Sequence, residues 1–376
     1  MADSKIRVCR DDDMKLNEIC EVYSGYALKA FNDAEDGFPV IKIGNIFMDG
    51  TLNLEECQYT TDGVNEKYYS QRGDIYIALS GATTGKIGIM DASEKYVINQ
   101  RVGIVRQKSD DIPQEYIKYF LLRQTDRILQ EAAGCAQPNI SPRQIAEYVV
   151  PDTSQEKMQE ICEVLDRIKK IIDSRKVQIS ALDNLIKARF VEMFGDVIHN
   201  SKKWQVCLFA EITSSRLGKM LDAKQQTGRN SYPYLANFNV QWFRFNLENL
   251  NKMDFDEKDR AEFELREGDL LVCEGGEIGR CAVWHNELQP CFFQKALHRV
   301  RCNHQIILPD YLAWWFRYNC DYGGFSALAG AKATIAHLPG AKLKQLQVAV
   351  PPMELQEQFA VFVAQTDKSK VAVRKY

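Results

Sequence analysis

The sequence lacks most of the marks by which a chain declares its chemistry. No two of its 11 cysteines form a C-x-x-C pair, and an odd, scattered set suits reduced thiols used as small core residues better than a disulfide frame. No apolar run approaches the length that spans a bilayer, and MADSKIRVCRDDDMK at the N-terminus has no apolar stretch of the signal-peptide kind. A cytoplasmic location is expected, with residues 1–13 a flexible leader. The formal net charge is only −3, so there is no global sign of a nucleic-acid partner, although acidic faces can offset a local basic surface.

Catalytic signatures are missing too. There is no G-x-S-x-G and no Asn-Pro-Pro-aromatic motif of amino-methyltransferases. Gly81 to Lys86 reads GATTGK, but Ser80 stands where a phosphate loop needs its first glycine and Ile87 where it needs a magnesium-binding hydroxyl. Cys281, His285, Cys291, His298, Cys302 and His304 lie close in sequence, yet only Cys302-x-His304 approaches a zinc knuckle. Buried thiols and surface histidines are the expected reading, with no metal. Asp152 with Glu156 is a poor copy of a metal nuclease motif; Asp152 or Thr153 is expected to cap a helix, with Glu156 completing a capping box. Catalysis by this chain alone is not expected.

What the chain does have is a long helix. Met158, Ile161, Leu165, Ile168, Ile172, Ile179, Leu182, Ile186 and Met193 follow a 3,4 spacing from Thr153 to about Gly195, with no proline or glycine between. Some 40 residues at about 1.5 Å each make a rod of roughly 60 Å. A spacer of that kind needs a partner for its apolar stripe.

The partner comes from an internal repeat. Gly73-Asp74 before an apolar strand returns as Gly268-Asp269, GATTGK as GGEIGR (Gly275 to Arg280), Gln100-Arg101 as Gln294-Lys295, and Val105-Arg106 as Val300-Arg301. Pro113 and Tyr116-Ile117 open an amphipathic helix expected to run through Leu129. Pro309 and Tyr311-Leu312 open another to about Asn319, Gly134 matches Gly330, and Val149-Val150-Pro151 matches Ala349-Val350-Pro351. The chain therefore reads as a mixed α/β (α+β) protein: a first globular domain over 1–152, a long helix over 153–196, a second similar domain over 197–351, and a shorter helix over 352–376. The shorter helix takes its seam from Leu355, Phe359, Phe362 and Val373. The two helices are expected to pair antiparallel, and the stretch from about Ile179 to Phe194, beyond the reach of the shorter one, to pack on the domains or on another subunit.

Polar, aromatic and basic side chains gather near the loops of both domains. In the first these are Tyr23, Ser24, Tyr26, Lys29, Thr83, Thr84, Lys86, Gln100, Arg101, Gln137, Asn139 and Arg143. In the second they are Arg216, Lys219, Tyr232, Tyr234, Asn237, Gln241, Arg280, Gln294, Lys295, Lys332 and Thr334. Arg, Lys, Asn and Gln are the side chains that read base edges through paired hydrogen bonds. Recurrence at matching positions makes the set a candidate DNA-binding surface, although any one member taken alone reads as a solvated residue.

GDIYIALSGATTGKIGI (Gly73 to Ile89), NQRVGIVR (Asn99 to Arg106), QPNISPRQIAEYVVP (Gln137 to Pro151) and VPPMELQEQFAVFVAQTD (Val350 to Asp367) resemble, in that order, the specificity subunit of type I restriction-modification systems. The resemblance covers essentially the whole chain. It implies two target-recognition domains on antiparallel coiled-coil spacer helices, reading two double-stranded DNA half-sites across an unread gap. It also implies two modification subunits, which bind S-adenosylmethionine and methylate adenine, and restriction subunits, which hydrolyse ATP with magnesium and cut; this chain carries no cofactor of its own. An interaction scaffold that uses the same rod to hold proteins is the alternative.

Overall fold

The computed structural model describes residues 14–33, 35–133, 138–221, 226–325 and 337–375. The chain divides into two compact units, Met1–Ile172 and Asp173–Tyr376.

The first unit runs β1 (Met14–Lys15), α1 (Leu16–Ile19), β2 (Cys20–Ser24), β3 (Phe38–Ile41), β4 (Gln58–Thr60), β5 (Ile75–Ala78), β6 (Ile87–Ile89), β7 (Val97–Ile98) and β8 (Val102–Gln107). These are followed by α2 (Gln114–Arg123), α3 (Thr125–Ala132), α4 (Pro142–Ala146), β9 (Val149–Val150) and the start of α5 (Gln155–Phe194). Its main sheet has the order β2-β8-β5-β6, beside a β4-β3-β7 sheet in which β3 and β7 are parallel, and a β1-β9 pair. The central strand β5 is buried on both faces. Strand alternation sends Ile75 and Ile77 to the helix side, with Val105, Ile117 and Ile128, and Tyr76 and Ala78 to the small-sheet side, with Ile41 and Ile98.

The second unit contains the end of α5, then β10 (Gln205–Leu208), α6 (Phe209–Ile212), β11 (Thr213–Leu217), β12 (Ser231–Leu235), β13 (Val240–Gln241), β14 (Arg244–Phe245), β15 (Asn251–Asp254) and α7 (Glu257–Phe263). It continues with β16 (Leu270–Cys273), β17 (Cys281–Val283), β18 (Phe292–Phe293), β19 (Leu297–Cys302), α8 (Pro309–Asp321), α9 (Gly340–Lys344), β20 (Gln347–Val350) and α10 (Met353–Lys375). Sheet for sheet it repeats the first: β11-β19-β16-β17, β15-β12-β18 with β12 and β18 parallel, and β10-β20. Leu270 and Val272 face the helices while Leu271 and Cys273 face the small sheet. The β13-β14 hairpin has no strand pair to match it among the described residues of the first unit, and helix α7 stands where the first unit has only a single 3-10 turn, Glu66–Tyr68, between β4 and β5.

The Gly-Asp turn before each central strand shows why the repeat survives. Gly73 and Gly268 sit at φ +96 and +83, where a side chain would be strained. The next residue is a buried aspartate. Asp74 accepts from Arg106 Nε at 2.7 Å and Nη2 at 2.6 Å, and Asp269 accepts from Arg301 Nε at 2.7 Å. Each buried carboxylate is thus paired and the preceding loop is pinned to β8 or β19.

Several expectations need correction. The helix opened at Pro113 does not run unbroken to Leu129: it stops at Arg123, and α3 begins at Thr125. Thr125 Oγ1 donates to the Leu122 carbonyl at 2.9 Å and competes with the helical amide there. The cap of α5 is Ser154, whose Oγ accepts from the Lys157 amide, rather than Asp152 or Thr153; a capping oxygen receives an amide two or three residues on, and Ser154 directly precedes the first helical residue, Gln155.

The largest correction concerns the helix seam. Met158 and Cys162 are buried in the core of the first unit, with Ile161 against it. In the second unit α10 runs antiparallel to the last turns of α5: Phe359 lies 5.5 Å from Phe190 and 5.4 Å from Phe194, while Lys370 Nζ meets Asp183 at 2.6 Å. The Ile179 to Phe194 stretch therefore has an intramolecular counterpart, contrary to expectation, while its packing on a domain is as expected: Ile186, Phe190, Met193 and Phe194 are buried in the core of the second unit, with Phe190 against Tyr311, Trp314 and Tyr318. Leu165, Ile179, Leu182 and Phe362 are half-buried. Most of the apolar residues left in solvent are central ones, Val164, Ile168, Ile171, Ile172 and Val177, with Leu185 and Val191 exposed nearer the end, so Ile168 and Ile172 are not packed as expected.

Among the described residues no helix is long and apolar enough to cross a membrane.

Candidate nucleic-acid interface

The strand that enters each main sheet, β2 or β11, is followed by a glycine pressed against the backbone at the end of β7 or just after β18. A Cβ on Gly25 would meet the Ile98 carbonyl oxygen at 2.3 Å, and one on Gly218 the Gln294 carbonyl oxygen at 2.3 Å. This close approach sets up matching parallel bridges, Tyr26 to Asn99 and Lys219 to Gln294. It thereby brings Tyr26, Gln100 and Arg101 together in one unit, and Lys219, Gln294 and Lys295 in the other. Beside each lies an open groove. In the first unit it is about 530 Å³, lined by Ser24, Ser80, Gln100, Arg101, Asn139 and Ser141 among others. In the second it is about 620 Å³, lined by Arg216, Lys219, Asp259, Glu262, His298 and Lys344 among others.

Other members of the expected surface play structural parts. Thr84 is buried, its Oγ1 donating to the Gly81 carbonyl at 2.7 Å, so it closes the glycine loop rather than facing a ligand. Thr83 and Lys86 are half-buried on the same loop. Asn237 Nδ2 donates to the Gly275 carbonyl at 3.0 Å, and Arg280 Nη2 to the Asn237 carbonyl at 3.1 Å, which ties the second glycine loop to β12 and its turn. Tyr232 packs edge-on to Phe292, with its hydroxyl accepting from Arg260 at 3.0 Å, and Tyr234 is buried. Gln241 Nε2 donates to the Phe238 carbonyl at 3.0 Å on the hairpin. Lys29 and Arg143 are exposed, Lys29 binding Asp62 through its backbone amide. Gly134, Gln137, Gly330, Lys332, Thr334 and the leader lie outside the described residues.

Among the described residues no three of His, Cys, Asp and Glu converge on a point. Burial pushes the Cys302 thiol up to about 12 and the Cys281 thiol well above its usual range, so both stay protonated. His298 is buried at the base of the second groove, with Nε2 3.0 Å from the Leu338 carbonyl. Burial holds its imidazole below the ordinary range, against the pull of that carbonyl and of Glu274. The unfolded chain then takes up a proton near pH ~6.5, while the folded chain resists it. Stability contributed by neutral His298 is complete above that pH and is lost as pH falls through it toward the lower folded value. Thermal unfolding is expected at lower temperature at pH ~5.5 than at pH ~7.5, and His298→Gln should flatten that slope; an equal slope in both proteins would remove His298 as its source.

Sequence reasoning missed residues that adjoin the candidate surface. Tyr68 packs 5.2 Å from Tyr26 and 6.4 Å from Tyr23, with Lys67 Nζ 4.8 Å over its ring. Asp259 and Glu262 on α7 bind Lys219 and Arg216, and Arg299 lies opposite Arg216 on β19. Arg299 could have been found, since it directly precedes the repeated Val300-Arg301. The carboxylates had no such signal, because the first unit has only the short 3-10 turn Glu66–Tyr68 in the place of α7, with Lys67 where the alignment puts Glu262.

The sequence pattern of the type I restriction modification DNA specificity domain matches this chain twice, over residues 12–183 and 201–375. The specificity subunit of type I restriction enzyme MjaVIII from Methanocaldococcus jannaschii is 26% identical over 183 residues, which is 46% of this chain and 43% of that relative. The chain thus spans less than half the length of the curated relatives it matches. The S subunit of a type I restriction-modification system from M. genitalium aligns with a TM-score of 0.54 at 14% identity, over 99% of this chain and 94% of that one. A structure solved for the complex assembly and conformational transition of the type I R-M system aligns with a TM-score of 0.54 at 13% identity, over 96% and 91%. At such identity the structural likeness is one of fold.

Proposed function

The chain belongs to the type I restriction modification DNA specificity family, and from that premise we propose that each of its two units reads one half of a bipartite, asymmetric DNA site. The observation that carries this reading is the repeated frame with a groove in each unit beside the end of β2 or β11 and the start of α4 or α9, lined by different side chains. Two identical readers related by symmetry would read a palindrome; two unlike readers on one chain read two unlike half-sites. The link between them is α5, 40 residues without a break. Inserted turns of this helix, near Ser174, would lengthen the unread gap.

The chemistry belongs to partners. Modification subunits carrying S-adenosylmethionine would methylate adenine in the bound site, and restriction subunits fuelled by ATP with magnesium would cut unmodified DNA. The exposed apolar residues of α5 between Val164 and Val177 suit docking of the modification subunits, because an apolar stripe of that length gains from being covered.

Sequencing of modified bases in the genome of the host, with and without this gene, tests the reading. The expected result is one bipartite motif, methylated only when the gene is present. A protein-binding scaffold would leave the methylation pattern unchanged.

A further inference from the structure

The two units share a frame, and one patch of that frame carries different chemistry in each. Glu21 faces Arg106 as Ser214 faces Arg301, so the strand registers place Tyr23 where the second unit has Arg216, and Ile104 where it has Arg299. Arg216 and Arg299 are direct cross-strand neighbours. Like charges so placed repel, which lowers stability. Arg299 is only 9% exposed, and its Nε is buried without a partner. Glu262 and the Phe293 ring beside Arg299 offset part of that cost. Yet Tyr23 and Ile104 fill the same frame with no such compensation, and local rules are most often broken where function requires it.

The remaining contacts fix one side chain in place. Arg299 Nη1 donates to the Glu262 carbonyl at 2.6 Å, anchoring the end of α7. The Glu262 carboxylate binds Arg216, whose guanidinium lies 5.9 Å from the Phe263 ring. Arg216 is thus held on two sides yet remains about half exposed, at 55%, on the wall of the groove. Glu262 and Asp259 are the ion-pair partners of Arg216 and Lys219, so they offset much of the positive charge that would draw a phosphate to this wall, leaving Lys344 as the unoffset cation of the described lining. An uncharged base edge needs donors rather than net charge. A fixed guanidinium presents parallel N–H groups that match O6 and N7 of guanine.

We propose that Arg216 is the guanine-reading residue of the second unit, with Glu262 and Arg299 as positioning residues. The inference rests on the reading of the chain as a DNA specificity subunit. At the matching place in the first unit, Tyr23 has no such fork; its hydroxyl is spent on the Lys67 carbonyl at 2.8 Å. That unit therefore makes no equivalent guanine contact.

The test is methylome sequencing in the host with the full complex, using Arg216→Ala, Arg216→Lys and Arg299→Met. The half-site belonging to the second unit is the one that stays when the first unit is exchanged. The wild-type motif should hold a G·C pair in it. Discrimination at that pair should fall about tenfold or more in Arg216→Ala, and also in Arg216→Lys, which keeps the charge and loses the fork and so carries the test if the alanine variant fails to fold. Arg299→Met should blunt the same position less, and the other half-site should not change. Methylation reduced equally at all sites with every base preference intact, as loss of a phosphate contact would give, overturns the proposal. So does a second half-site without a G·C pair. A wild-type gene that directs no methylated motif at all overturns the DNA-reading premise itself, and this inference with it.

Discussion

Exchanging residues 14–150 for the first unit of another member of the family is expected to produce a complex that methylates a new half-site joined to the old one. The boundaries follow from strand pairing: Met14 and Val150 face each other across β1 and β9, so cuts there remove a whole ladder and leave no unpaired edge. The cost falls on the junction with α5. Met158 and Cys162 are buried in the first unit's core, with Ile161 packed against it, so the incoming unit must offer a similar apolar seat. If it does, the change in one half-site should be complete, because the second unit keeps its own cores around Val272 and Leu271. Methylome sequencing reads the outcome directly. A change in both half-sites, or in neither, would end the modular account.

How much of this was legible beforehand depends on whether a feature was written twice. The Gly-Asp turns, the two central strands, Arg106 and Arg301, and both proline-led helices each occur in two copies, and the copies fix each other's alignment. Features written once were harder to see. Nothing in composition marks Gln124 as a helix break, since the competing bond comes from the hydroxyl of Thr125. The 3,4 spacing of α5 shows that it has an apolar stripe, but a stripe does not say which half of it a partner covers. Alignment by repeat copied the register of the first helix onto the second, whereas the antiparallel pairing in the second unit sets Phe359 on Phe190 and Phe194. Of the candidate surface, Gln100, Arg101, Asn139, Arg216 and Lys219 do line grooves. Thr84, Asn237 and Arg280 instead hold loops in shape, as polar side chains beside tight glycine turns often must, because buried carbonyls there need donors.

The same aromatic seam supports the second large effect. Phe359 is fully buried, edge-on to Phe190, Phe194 and Trp314 at 5.5, 5.4 and 6.1 Å. Phe359→Ala should therefore cost about 3–5 kcal/mol, the transfer loss of the ring plus the cavity it leaves. Phe359→Leu should cost less, because it fills part of that space. Val361, on the exposed side of the same helix at 57%, serves as the control; Val361→Ala should change stability by no more than about 0.5 kcal/mol. All 5 tryptophans lie beyond residue 200, so their fluorescence during urea unfolding follows the second unit alone. A Phe359→Ala midpoint no lower than that of Val361→Ala would mean that α10 is held by something other than its aromatic face. The expected large shift would make that seam the feature that ties the end of α5 to the second unit, and any partner that covers the exposed middle of α5 would then dock on a helix already anchored there.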